Sequence, residues 1–332
     1  MRNISLLAVL AALVVSSCAG LDDLGGAGPG TTDAAPTTVA MPAPRPSQAP
    51  PQTIPLATLP PRAAVCDAFA EVTAVGELKD PDLKEISGIV ASRRYPQVLW
   101  AHNDSRGGAN VYAINTDGTL LATWELDGVI ALDWEDIAAG PGPEPGVTYL
   151  YVGDIGDNFA LRSEIVVYRF PEPDVIDDGV VTDFEVFRLS YPEQGPNAEA
   201  MAVDPVTGDL LIFTKDRDGP EGVWRAPGNE LRNGLATRLE PLATLELGNK
   251  VEVTAADITS NGDRIALRGY DEVWIWPRLE LDLESTFANR PCEAASPDER
   301  QGESLAFDPA SLNLYTISEG TGAAVNRIAI DR

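Results

Sequence analysis

The strongest constraint on what this chain can fold into is a short phrase that returns five times. Ser87-Gly-Ile-Val-Ala, Glu135-Asp-Ile-Ala-Ala, Glu199-Ala-Met-Ala-Val, Ala256-Asp-Ile-Thr-Ser and Glu303-Ser-Leu-Ala-Phe each lead into a turn and a second apolar run. Successive copies begin 48, 64, 57 and 47 residues apart, a period that suits stacked four-stranded units rather than one sandwich. Three copies open with a glutamate, which puts acids at equivalent points of a symmetric object.

The turn inside each unit has a mechanism. Asp204-Pro-Val-Thr-Gly208 returns as Leu210-Leu-Ile-Phe, and Asp308-Pro returns as Leu314-Tyr-Thr-Ile. Proline presets one backbone angle, and Gly or Asn tolerates the left-handed one, so the first two strands form a hairpin. Third strands read at Val111, Ile165, Val223, Val273 and Val325, and fourth strands at Leu120, Phe184 and Arg238, with the fourth unit's last strand expected before Cys292. β-Branched and aromatic residues dominate these runs, and no long segment carries a helical period. The last unit ends after its third strand, and Phe69 to Leu78 belongs to no other unit, so an N-terminal strand is expected to close the ring. The reading is an all-β, five-bladed β-propeller. A sixth blade hidden in the 64-residue interval and a sandwich with coincidental repeats are the alternatives.

In a propeller the first strand of each blade lines the channel, so residues opening strand one and residues closing strand two share one face. The opening set is Ser87, Glu135, Glu199, Asp257 and Glu303. The closing set is His102, Asn103 and Asp104; Asp154, Asp157 and Asn158; Lys215 and Asp216; Arg268; and Glu319. Convergent carboxylates repel unless a cation or a base answers them. Hard oxygen donors suit calcium, and a single histidine argues against zinc, so Glu135, Glu199, Asp257, Glu303 and Asp154 are the candidate metal ligands. Asn103, Asp104, Asp157, Asn158, Lys215, Asp216, Arg268 and Glu319 are candidate ligand-binding residues. The competing accounts are an ion-pair network through Lys215, Arg217 and Arg268, and a water-filled channel. Asp216-Arg-Asp-Gly219 opens like a calcium loop without the later ligand positions of an EF-hand. No Gly-x-Ser-x-Gly elbow is present, and His102 is the chain's one histidine, so His102 and Glu199 are the candidates for acid/base work.

The N-terminus speaks to location. Met1-Arg2-Asn3 is followed by an apolar run from Ile4 to Val15 and by Val15-Ser16-Ser17-Cys18. That run is short for a membrane span and has the layout of an export signal. Its ending resembles a bacterial lipobox, which implies lipidation of Cys18 and anchoring at the outer face of a bacterial membrane; an ordinary secretory signal is the alternative. Residues 19–65 are rich in Pro, Ala, Thr and Gly and read as a disordered tether, leaving 66–332 as the propeller domain. The two other cysteines, Cys66 and Cys292, are expected to pair in an oxidising compartment, with two unpaired thiols as the alternative. Net charge is -27, from 51 acidic and 24 basic residues, which excludes nucleic acid as a natural partner. The expected partners are the membrane, through the lipid, and an unidentified small-molecule or cell-surface ligand.

Glu85-Ile-Ser-Gly88, Asn197-Ala-Glu-Ala-Met-Ala-Val-Asp-Pro205 and Gly302-Glu-Ser-Leu-Ala-Phe-Asp-Pro309 resemble a bacterial propeller family described as phytase-like, or "esterase-like activity of phytase". Asp133-Trp-Glu-Asp-Ile-Ala and Tyr151-Val-Gly-Asp-Ile-Gly-Asp-Asn158 are similar to a motif of exported bacterial proteins. The short repeats also recur in regucalcin-like and gluconolactonase-like propellers. The resemblance, over residues 85–332, implies a metal-assisted hydrolase of an ester or phosphoester; Ser87 and Ala256 depart from its acid, and no basic cluster fits a multiply phosphorylated substrate. Two functions follow: a calcium-binding ligand or scaffold module, or a calcium-dependent hydrolase using metal-activated water.

Overall fold

The computed structural model describes residues 69–104, 108–216, 219–248, 250–279 and 281–330. The leader, Cys18, the tether, Cys66, Arg217 and Asp218 lie outside the described residues. The chain enters as β1 (Phe69–Glu77) and then builds its first sheet from β2 (Ile86–Ala91), β3 (Val98–Asn103), β4 (Asn110–Asn115) and β5 (Leu120–Leu126). The second sheet holds β6 (Trp134–Pro141), β7 (Thr148–Asp154) and β8 (Ile165–Pro171). After the short β9 (Gly179–Val181) it is completed by β10 (Glu185–Ser190). The third holds β11 (Ala198–Val203), β12 (Leu210–Thr214) and β13 (Glu221–Ala226), and, past β14 (Ala236–Arg238), β15 (Glu240–Leu245). The fourth is β16 (Val253–Ile258), β17 (Arg264–Gly269), β18 (Val273–Pro277) and, after the one-turn helix α1 (Leu283–Phe287), β19 (Cys292–Ala294). The fifth is β20 (Ala306–Phe307), β21 (Leu314–Ile317), β22 (Ala324–Ile330) and β1, which pairs antiparallel with β22 (Val72 opposite Ile328).

The result is a five-bladed propeller closed by its N-terminal strand. The 64-residue interval contains no sixth blade: its excess is loop and the strand β9. β9 pairs parallel with β5, and β14 pairs parallel with β10, so the linkers before the fourth strands of the second and third blades reach back to widen the preceding blade. The expected strand before Cys292 instead begins at that residue.

Hydrophobic burial explains the ring. Every residue of β2, β11 and β16 is buried, because an inner strand is covered on both faces by neighbouring blades. Alternate side chains therefore enter different inter-blade layers: Ile89 and Ala91 pack toward the fifth blade, and Val90 toward the second. Five such apolar clusters, one between each pair of adjacent blades, complete the circle.

Buried carboxylates tie the middle of the ring. Asp136 on β6 accepts from the N–H of Ile137 at 2.8 Å, of Met201 on β11 at 2.8 Å and of Ala256 on β16 at 3.2 Å, so one side chain joins three blades. Asp257 accepts from Ile258 N at 2.8 Å and Phe307 N at 2.7 Å, with Arg93 4.0 Å away. At the end where strand one finishes, Arg278 forks onto Asp204 at 2.7 and 3.0 Å and clamps the fourth blade to the third.

Candidate functional site: an acidic well at one end of the ring

A β-bulge recurs where each inner strand begins. The register slips between Ile86 and Gly88, Trp134 and Asp136, Ala198 and Ala200, and Val253 and Ala255. In the fifth blade it slips between the Gly302–Ser318 bridge and the Ala306–Tyr315 pair, so Glu303 follows Gly302 as Glu135 follows Trp134. The bulge turns one side chain of each blade toward the end of the channel. Those residues are Ser87, Glu135, Glu199, Thr254 and Glu303. The fourth blade's equivalent is thus Thr254, and Asp257 lies three residues further along β16, away from this end and bound to backbone. Asp257 is therefore removed from the ligand set; Ala256-Asp-Ile imitates Glu135-Asp-Ile in sequence but not in register.

The uneven residue types now divide by task. Ser87 Oγ donates to the Glu135 carbonyl at 2.7 Å, and Thr254 Oγ1 donates to the Gly302 carbonyl at 2.8 Å. The hydroxyls fasten one blade to the next, and the three glutamates bring charge to the face. Just past the ends of the second strands, Asp104, Lys215, Tyr270 and Glu319 join them.

One oxygen each of Asp104, Asp133 and Glu135 lies within 4.8 Å of the others. Glu135 is buried, and among the described residues its carboxylate has no hydrogen bond or ion pair. Burial pushes its pKa well above the carboxylate range, and the charges of Glu199, Asp133, Asp104 and Glu303 push it further. The backbone of Gly156 lies directly against two of these carboxylates. A Cβ there would fall 2.2 Å from Glu135 Oε1 and 2.4 Å from Asp133 Oδ2.

Asp133 lies outside the ligands that the sequence suggests, although its i, i+2 spacing from Glu135 is readable as two side chains on one side of an extended segment. Asp154 serves it instead of joining it. Its carboxylate accepts from Leu132 N at 3.0 Å, Asp133 N at 3.3 Å and Arg162 Nη1 at 2.7 Å, which sets the backbone that presents Asp133. Asp157 caps its own loop through Leu161 N and Arg162 N, both at 2.8 Å. Asn158 accepts from Asn197 at 3.2 Å, and Asn103 holds the Asp82 carbonyl at 2.7 Å. Asp216 receives no such place in the well; its backbone N–H donates to Glu221 at 3.0 Å.

Glu199, Glu299, Glu303 and Glu319 each have a named partner. Lys215 pairs with Glu199 and donates to Tyr270 Oη at 2.7 Å, its Nζ lying 4.8 Å from the Tyr270 ring. Burial would lower the Lys215 ammonium, but Glu199 outweighs it and holds the pKa above its ordinary value. Arg268 is fully buried, pairs with Glu299, and donates to the Gly269 carbonyl at 3.2 Å. Glu303 and Glu319 hydrogen bond to each other; burial, then the charge of Glu319, raises Glu303 to about 8, so at neutral pH the pair shares a proton. His102 is fully buried, its ring 5.7 Å from Trp134 in an edge contact, and Nδ1 is 3.0 Å from the Asn103 carbonyl. Burial lowers its pKa to about 4, which leaves it neutral and out of reach of a ligand on this face.

Comparison with known proteins finds no matching family model and no matching curated protein.

Proposed function

We propose that this is a lipid-anchored extracytoplasmic propeller whose acidic end binds a divalent cation and presents a ligand-binding face. The observation that carries it is Glu135, a buried carboxylate with no partner among the described residues, beside Asp104 and Asp133. A carboxylate in that setting, repelled by its neighbouring acids, is stabilised by a proton or by a cation. Three oxygen donors without sulfur or imidazole favour calcium, with backbone carbonyls and water completing the shell. Calorimetric titration with calcium tests this: the native chain should give heat and a raised melting temperature, and Asp133→Asn and Glu135→Gln should abolish both. Absence of heat and of stabilisation at millimolar calcium refutes the cation site.

The anchor rests on the Val15-Ser-Ser-Cys18 ending, and a Cys66–Cys292 bridge is supported by position. Cys292 is buried where β19 begins, in the apolar layer that Val72 of β1 also covers, and Cys66 precedes β1. A mass measurement of the mature chain with and without reductant reads both.

A second reading, the calcium-dependent ester or phosphoester hydrolase of the phytase-like resemblance, is favoured by the Glu303–Glu319 pair. A protonated carboxylic acid beside an ionised one is the arrangement acid/base chemistry needs, with Glu199 as a further candidate base. An ester and phosphoester panel at millimolar calcium separates the readings. Turnover lost with EDTA and in Glu199→Gln supports the hydrolase, and binding without turnover supports the module.

A further inference from the structure

The two loops that carry Asp133 and Gly156 also carry exposed apolar side chains. Ile130 and Leu132 lie on the loop that leads into β6, and Phe159 and Leu161 on the loop that leaves β7. They are 76, 63, 82 and 83 % exposed, and they make up four of the nine large apolar side chains exposed among the described residues. Single exposed apolar residues need no explanation, but four on two adjoining loops mark an interaction surface. The loops are held together: Asp154 accepts from Leu132 N on one and Arg162 Nη1 on the other, and Gly156 N donates to the Asp133 carbonyl at 3.2 Å. The tips are thus displayed on a fixed frame, so a partner meets little ordering cost.

Charge selects the partner. One loop carries Leu132 next to Asp133, and the other carries Gly156 against Asp133 and Glu135, with Asp104 in the same cluster, on a protein of net charge -27. A second copy of this face, or an anionic lipid surface, would bring like charges together. We propose that the four apolar side chains and the acidic well form one docking surface for a positively charged protein segment with apolar anchors. A lysine or arginine of the segment enters the Asp104–Asp133–Glu135 well, and its apolar side chains settle among Ile130, Leu132, Phe159 and Leu161. The inference rests on the proposed cation site, since it assigns an ammonium or guanidinium to the same three acids, and it makes calcium and the segment competitors.

The probe is a short amphipathic Lys/Leu peptide, with a Lys/Ser peptide of equal charge as control, titrated into the full chain by fluorescence anisotropy. The Lys/Leu peptide should bind about tenfold or more tightly than its control. Changing Ile130, Leu132, Phe159 and Leu161 to Ser should remove that advantage while calcium heat and melting temperature stay as in the native chain. Calcium at saturation should weaken the peptide several-fold. Equal binding of the two peptides, or full retention by the four-serine variant, overturns the docking surface. Binding to neutral phosphatidylcholine vesicles that disappears in the same variant also overturns it, in favour of a lipid surface. If calcium gives no heat but the Lys/Leu advantage persists and depends on the four apolar residues, the metal reading fails and the docking surface stands.

Discussion

At the scale of single residues, the site depends on a side chain that is missing. Gly156 has no Cβ, and the space a Cβ would take is occupied by the oxygens of Glu135 and Asp133 at 2.2 and 2.4 Å. The colliding atoms are the far ends of side chains, so a methyl there displaces the two carboxylates rather than backbone. Gly156→Ala should therefore keep the fold, with a melting temperature close to native in chelator, and lose about tenfold or more in calcium affinity, because three donors must be placed within a few tenths of an ångström. Unchanged calorimetric affinity in that variant would place the cation elsewhere. The same scale explains why two blades lack a glutamate at the bulge. Ser87 and Thr254 each reach a carbonyl of the next blade, a task that a hydroxyl performs and a carboxylate cannot.

At the scale of elements, the inner strands are held by polar bonds as well as by packing. Asp136 satisfies N–H groups on β6, β11 and β16 at the same time. Asp136→Ala would leave all three buried donors unpaired, at roughly 1–3 kcal/mol each, so denaturant unfolding should show a loss of about 3 kcal/mol or more. A loss under about 1 kcal/mol would show that the three strands hold their places without it. This element also marks the limit of what was legible in the sequence. Apolar runs and Asp-Pro turns announced the blades, their hairpins and the closing strand, because those signals are local. The bulge is not local: it inserts one residue whose position is known only from the partner strand. Matching Ala256-Asp-Ile to Glu135-Asp-Ile therefore shifted the fourth blade and drew Asp257 to the face in place of Thr254. The role of Asp154 is hidden for a related reason: its acid type is visible in the sequence, but the Leu132 and Asp133 N–H groups that engage it are not. The reach-back strands β9 and β14 are three residues long and carry too little pattern to be read from the sequence.

At the scale of the whole molecule, the raised acids make stability depend on pH in a direction opposite to that of ordinary salt-bridged carboxylates. Burial moves Glu303 from 4.5 to about 8, Glu221 from 4.5 to about 7 and Asp257 from 3.8 to about 6. Between each pair of values the folded chain holds a proton that the unfolded chain has released, so raising the pH costs stability until the folded group ionises. These contributions are complete below about pH 4 and are lost by about pH 8. His102 works the other way. Its pKa falls from 6.5 to about 4, so it withdraws stability only as the pH drops below 6.5. Above pH 6.5 the carboxyl groups therefore set the slope, and self-repulsion in a chain of net charge -27 adds to it. In chelator, the melting temperature should fall between pH 6.5 and pH 8, and Glu303→Gln, which cannot ionise, should make the fall shallower. A bound cation replaces the proton of Glu135, whose pKa burial also raises well above its ordinary value, so millimolar calcium should raise the melting temperature more at pH 8 than at pH 6.5. A melting temperature that rises over this range in chelator would mean that the acids of this face are already ionised and compensated, and that the end of the ring needs no cation.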